Sequence, residues 1–147
     1  LHSQDTGDLE SGKGHSRDKV FEFLKKWAPI STSSQDEFEY KVGEDSYTMK
    51  KYFFCLLKKG PNRNQDSLTA MKIQENHLGH LSKLGKAGLI SIAGPFDGDN
   101  EYRGIIIFNV KTKEEAEKLE GEDPAVISGR LSMEILPVWL AKGSKLP

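Results

Sequence analysis

His77 and Asp123 are the residues of this sequence best suited to moving a proton near neutral pH. An imidazole titrates in that range, and a carboxylate accepting from one ring nitrogen fixes the tautomer and leaves the other nitrogen free to take a proton. The surroundings of His77 turn it inward. On a helical wheel at about 100° per residue, Ala70, Ile73, Leu78, Leu81 and Leu84 fan around one direction, and His77 falls near the middle of the fan. His80 falls towards the edge of that face and reads as a solvent-side histidine. A ring aimed at a protein interior needs partners, since an unpaired buried polar group costs roughly 1 to 3 kcal/mol. Asp123 is the natural companion, because Pro124 sets the first turn of a helical piece and the aspartate takes the capping place before it. On spacing alone, a satisfied core histidine and a helix-capping aspartate account for the same two residues, as capping and ion-pair networks produce such arrangements as well. No serine or cysteine in a nucleophile context accompanies the pair, so no triad is predicted.

The other candidates bind rather than react. Gly94 and Pro95 close a strand near the middle of the predicted sheet, where a glycine lets a ligand or another backbone approach. Arg63 stands in Gly60-Pro61-Asn62-Arg63-Asn64, which has a glycine and a base but not the spacing of a phosphate loop; it is carried as a substrate-binding candidate beside the reading of a solvated loop residue. Arg103 and Arg130 could reach an anionic substrate or face water, with water the preferred reading for both, and the charge run Lys113 to Glu122 is read as an exposed helix face. Four scattered histidines and no cysteine pair give no metal-ligand spacing, so neither a metal nor another cofactor is expected.

These residues need a scaffold, and the regular part of the chain supplies one. Lys51 to Lys58 is strand-like; after the loop Lys59 to Gln65, Asp66 or Ser67 caps a helix that runs to about Ala87 and stops at Gly88. Leu89 to Ala93 is rich in β-formers, and Tyr102 to Val110 is the most strand-like segment of all. Thr112-Lys113-Glu114-Glu115 is a capping box opening a second helix that gives out at Gly121, Ala125 to Ser128 is a short helical piece, and Leu131 to Trp139 is a last strand that Pro137 places at an edge or bends. Strand, helix, strand, strand, helix, strand predicts an α+β fold, a ferredoxin-like split βαβ with a four-stranded antiparallel sheet and both helices on one face. The uncovered face is too rich in aromatic and β-branched residues to meet water, which predicts a homodimer packed sheet to sheet.

Ahead of this domain, residues 1–48 read as an N-terminal extension, and 49–147 as the domain proper. The extension comprises a polar leader to residue 17, an amphipathic helix from Asp18 to Trp27 ended by Pro29, a Ser/Thr-rich linker over Ser31 to Asp36, and a small hairpin around Gly43-Glu44-Asp45-Ser46. Its helix has an aromatic face that could recruit a partner. At 147 residues and 36% hydrophobic content the chain can bury a core without metals or disulfides. Its 21 basic and 22 acidic residues leave a net charge of -1, which gives no field for nucleic acid. Cys55, the single cysteine, lies in an apolar run and reads as a small buried hydrophobe. No run reaches the roughly 18 apolar residues of a membrane span. A start at Leu1 fits export after signal removal, with the cytoplasm as the alternative.

Taken together, Asn76-His77-Leu78 with Leu81 and Gly88, then Ile92-Ala93-Gly94-Pro95, then Glu122-Asp123-Pro124-Ala125-Val126 with Gly129 and a closing strand through Pro137 resemble the YciI-like (YCII-related) domain family over about residues 50 to 142. The resemblance implies a dimeric α+β barrel assembly of ferredoxin-like subunits, a pocket near the dimer interface, and a His/Asp active pair at His77 and Asp123. It also implies a small cofactor-independent enzyme, a lyase or isomerase acting on a small cyclic or aromatic substrate, since the family includes a dehydrochlorinase-like member that works on a hydroxylated ring. A non-catalytic dimeric module holding a small ligand is the alternative. The sequence departs from the smallest members in its longer, more polar loop Lys59 to Gln65 and in its N-terminal extension, both of which could reshape the pocket.

Overall fold

The computed structural model describes residues 36–147; the leader, the amphipathic helix over Asp18 to Trp27 and the linker up to residue 35 lie outside the described residues. The first described element is a hairpin in which β1 (Glu37–Val42) turns through Gly43 and Glu44 into β2 (Asp45–Lys59). Gly43 takes φ +63°, a left-handed conformation that the tight turn demands and that glycine adopts without a Cβ clash. β2 is fifteen residues long and passes residue 48 unbroken. Apolar alternation alone starts this strand at Lys51, because Lys50 and Lys51 interrupt it. In the fold Lys50 Nζ donates to Asn109 Oδ1 at 2.8 Å and lies over the Tyr52 ring, while Lys51 Nζ lies over the Trp139 ring, so both side chains run along aromatic neighbours.

Helix α1 (Ser67–Lys86) follows. The Asp66 side chain caps it by accepting from Thr69 N at 2.8 Å, and Gly88 at φ +78° lets the chain leave it. The chain continues through β3 (Ile90–Pro95), β4 (Tyr102–Phe108), α2 (Lys113–Gly121), the single turn α3 (Pro124–Ile127) and β5 (Leu131–Ala141). Thr112 caps α2 by accepting from Glu115 N, and the Glu115 carboxylate accepts from Lys111 N at 3.2 Å, one residue ahead of the N–H that the predicted capping box would use.

The sheet runs β5-β2-β4-β3 with every neighbour antiparallel, the order of a ferredoxin-like split βαβ, and the helices pack on one face. The four expected strands are all present, and β1 adds a fifth that pairs with β2. β5 bonds to β2 alone among the described residues, so Pro137, opposite Phe53, sits on an edge strand as its missing N–H requires.

Strand alternation divides the sheet into two faces. Ile135, Cys55, Ile106 and Ala93 form a row across four strands, and Cys55 and Ile106 are wholly buried with Phe53, Phe108, Leu84 and Ala116. Burial of the Cys55 thiol, with Glu120 and Asp123 nearby, pushes its pKa up and keeps it protonated and inert. The adjacent row, Leu136, Phe54, Ile107 and Ile92, points the other way, and there Leu136 is 51% exposed.

Candidate active site

α1 carries His77 in its third turn, and the junction of α2 with α3 carries Asp123. His77 is buried, Asp123 wholly so, and the His77 Nδ1 to Asp123 Oδ2 distance is 2.6 Å. The chain makes this meeting by local rules. Pro124 starts α3, Asp123 precedes it in an extended conformation, and Asp123 Oδ1 accepts from Ala125 N at 2.8 Å. One carboxylate oxygen therefore caps a helix while the other holds the imidazole. An ionised carboxylate only accepts, so Nδ1 donates, and in the neutral ring Nε2 is left as the acceptor. Nε2 makes no hydrogen bond among the described residues.

Glu120 completes this cluster and corrects the reading of Lys113 to Glu122 as an exposed face. Glu120 is wholly buried at the end of α2, and its carboxyl lies with the His77 ring and the Asp123 carboxylate in a group whose ligand atoms are all within 4.8 Å of one another. Neither of its oxygens has a well-formed hydrogen bond among the described residues. Loss of water, then the adjacent Asp123, push the Glu120 pKa up to about 9, so it is a neutral acid at pH 7. Asp123 moves the other way. Burial works to raise it, but donation from His77 Nδ1 and from Ala125 N holds its carboxyl below the usual range. Two adjacent acids thus share one charge, and Asp123 carries it. The signal for Glu120 was present in the sequence, since Ala116, Leu119 and Glu120 share one face of α2 at spacings of three and four.

His80 corrects a second expectation. It is buried rather than solvent-side, and its Nε2 donates to Leu119 O at 2.9 Å. The α2 chain covers that edge of α1, a tertiary neighbour that a helical wheel does not contain. Leu78, counted on the inward face, is 54% exposed instead.

His77 borders a cavity of about 380 Å³ between α1, β3, β4 and the start of β5. Of the predicted site residues, His77, Arg63, Gly94 and Pro95 all line it, and Asp123 stands behind His77 without lining it. No atom lies within 4 Å of where a Gly94 side chain would begin, so this glycine leaves open space beside the sheet. Leu57, Ile73, Leu81 and Ile106 make apolar walls. Arg103 and Arg130, read from sequence as facing water, line the cavity with Arg63. Two loops bring the last two together. Gly60 N donates to Arg130 O and Asn62 N to Gly129 O, each at 2.9 Å, and a Cβ at Gly60 would lie 2.2 Å from Gly129 O, so only glycine permits this approach.

The trio His77, Glu120 and Asp123 is compact enough to be considered for a cation. Two of its donors are already engaged with each other, since Asp123 Oδ2 accepts from the His77 ring and Asp123 Oδ1 accepts from Ala125 N. The arrangement is a hydrogen-bonded chain from the His77 ring through the Asp123 carboxylate to Ala125 N.

Fold and site together define a small α+β protein of ferredoxin-like topology with a buried His-Asp pair in the wall of a cavity. No protein-family model matches the chain, and no curated protein matches it. Among solved structures it is similar to 5-chloro-2-hydroxyhydroquinone dehydrochlorinase from Burkholderia phenoliruptrix in complex with 2,5-dihydroxybenzoquinone, at 17% identity and a TM-score of 0.45, over 57% of this chain and 90% of that one.

Proposed function

We propose that this protein is a small cofactor-independent lyase or isomerase of the YciI-like kind, in which His77 Nε2 takes a proton from a small cyclic or aromatic substrate in the cavity. The observation that carries this reading is the 2.6 Å contact between Asp123 and Nδ1 of a histidine whose ring borders that cavity. Asp123 fixes the tautomer and stabilises the imidazolium once Nε2 is protonated; His77 then returns the proton to another substrate atom or to a leaving group. Gly94, Pro95 and Arg63 would contact the substrate. The motif pieces of the family resemblance support the reading in space, since His77, Gly94 and Pro95 border one cavity and Asp123 backs it.

The test is turnover of a panel of hydroxyquinones and lactones by the wild-type chain, His77→Ala and Asp123→Asn. Loss of about 10²- to 10⁴-fold in both variants is expected, and undiminished turnover in both would remove His77 from the chemistry. A binding module without catalysis is the second reading, favoured by the low exposure of His77 at 7%. A bell-shaped or sigmoidal pH-rate profile that vanishes in His77→Ala separates the two.

The same reading includes a homodimer packed through the face that carries Leu136, Phe54 and Ile92. Leu136 and Ile92, at the two ends of that row, are 51% and 36% exposed, while Ile107 in its middle is buried and Phe54 half-buried, so the ends of the row are the apolar surface left to a partner. Sedimentation of the wild type and of Leu136→Lys tests it; a wild-type monomer at micromolar concentration would refute it.

A further inference from the structure

The cavity has a cationic side that proton transfer by His77 does not use. Arg63, Arg103 and Arg130 all border it, and no aspartate or glutamate is among the lining residues. Arg103 leans on Asp99 at the rim, 3.5 Å away. Arg63 and Arg130 have no carboxylate partner among the described residues. Arg63 Nη1 donates to Arg130 O, and Arg130 Nη1 donates to Gln65 Oε1 at 2.9 Å and reaches towards Arg63 O at 3.5 Å. Each arm is thereby held by the other's backbone. A guanidinium has five N–H donors, and in both residues the Nε and Nη2 groups make no hydrogen bond among the described residues. Burial, then the neighbouring Arg130 and Arg103 charges, lower the Arg63 pKa, so the cluster repels itself when the cavity holds no anion. Two fixed forks with spare donors, set against apolar walls, are complementary to a planar carboxylate on a hydrophobic body.

We propose that the ligand of this cavity is a small organic monoanion, a single ring or short apolar body bearing a carboxylate. The carboxylate sits on the guanidinium groups of Arg63 and Arg130, and the apolar body rests on Leu57, Ile73 and Ile106 with His77 beside it. At about 380 Å³ the space is near the small end of ligand pockets and suits a one-ring compound. The apolar walls distinguish this ligand from inorganic phosphate, which would gain nothing from them. This inference rests on the proposal that the cavity is the substrate site, and it names the class of substrate.

Binding of benzoate, its neutral isostere benzamide, and inorganic phosphate to the full chain tests it, read from chemical shifts of the leucine and isoleucine methyl groups. Benzoate is expected to bind at least about tenfold tighter than benzamide, because a charged acceptor on two guanidinium forks outweighs a neutral one, and added salt should weaken benzoate alone. Arg130→Met should erase that preference, and Arg63→Lys should reduce it if Arg130→Met fails to fold. Arg103→Met, whose charge already faces Asp99, should keep it. Equal affinity for benzoate and benzamide, phosphate competing as well as benzoate, or no binding of benzoate would each overturn the proposal. His77→Ala should bind benzoate with the preference intact. If it does while turnover in the wild type proves independent of His77, the proton-transfer reading falls and the anion site stands.

Discussion

His77 and His80 stand one turn apart on α1, are equally buried, and are held in opposite ways. His77 gives its Nδ1 proton to the Asp123 carboxylate and keeps Nε2 unbonded beside a cavity; His80 gives its Nε2 proton to the backbone oxygen of Leu119. A carboxylate can stabilise a positive ring, whereas a carbonyl dipole does so weakly. The comparison teaches that two equally buried histidines can have unlike surroundings. What separates them is the charge of the partner and whether the second nitrogen faces space.

The sharpest way to break this contrast is to remove each ring in turn. His77→Gln is expected to lower turnover by about 10²- to 10⁴-fold, while His80→Gln stays within a few-fold of wild type; equal losses would show that the two positions act alike. Removing the charged partner comes next. Asp123→Ala deprives His77 Nδ1 of its acceptor and Ala125 N of its cap, and a loss of about 3 kcal/mol in denaturant unfolding is expected from the buried bond and the cap together. A loss below about 1 kcal/mol would mean that water or a shift of Glu120 replaces the carboxylate.

Much of this site is legible in the sequence because it rests on local signals. Asp66 and Gly88 bound α1, Asp123-Pro124 marks a capped helical turn, and His77 replaces an apolar residue within a periodic face. What is not legible depends on which element covers which. His80 is sealed by Leu119 from another helix, and Glu120 belongs to a run of charges whose other members are exposed. Arg103 and Arg130 carry no periodicity that distinguishes them from solvated arginines; the register of β3 with β4, and the loop seated on Gly60, bring them to the cavity. The hairpin joined the sheet for a similar reason, since the stems of Lys50 and Lys51 are apolar where pattern reading counts only their charges.

Glu120 sharpens the comparison from the carboxylate side. With a folded pKa of about 9 against an ordinary value of 4.5, it stays protonated in the native chain while the unfolded chain loses that proton above about pH 4.5. The unfolded state therefore binds fewer protons across that window, and stability falls as pH rises through it. At pH 7 this amounts to about 3 kcal/mol of destabilisation. Asp123 has the opposite sign: its lowered pKa adds stability above the unfolded value, lost as pH falls through the folded one. Glu120→Gln keeps the shape without the titration. Its unfolding free energy should match wild type near pH 5 and exceed it increasingly towards pH 8. Parallel curves across that range would show that Glu120 is ionised in the fold.

The smallest effect is expected at His80, where the contrast can be read without any substrate. The donation to Leu119 O requires the Nε2–H tautomer, whereas donation to Asp123 requires Nδ1–H on His77. Nitrogen-15 spectra of the two rings should therefore show opposite protonated nitrogens in one protein. His80→Leu removes one hydrogen bond to the Leu119 carbonyl, which keeps its bond from Glu122 N at 3.3 Å, and adds apolar surface to a covered edge, so a loss of about 1 kcal/mol is expected. That corresponds to a fall of about 4 °C in Tm for a domain of this size. If both rings carry the same tautomer, or if His80→Leu unfolds the chain as readily as Asp123→Ala, the two histidines belong to one network and the separation of roles along α1 fails.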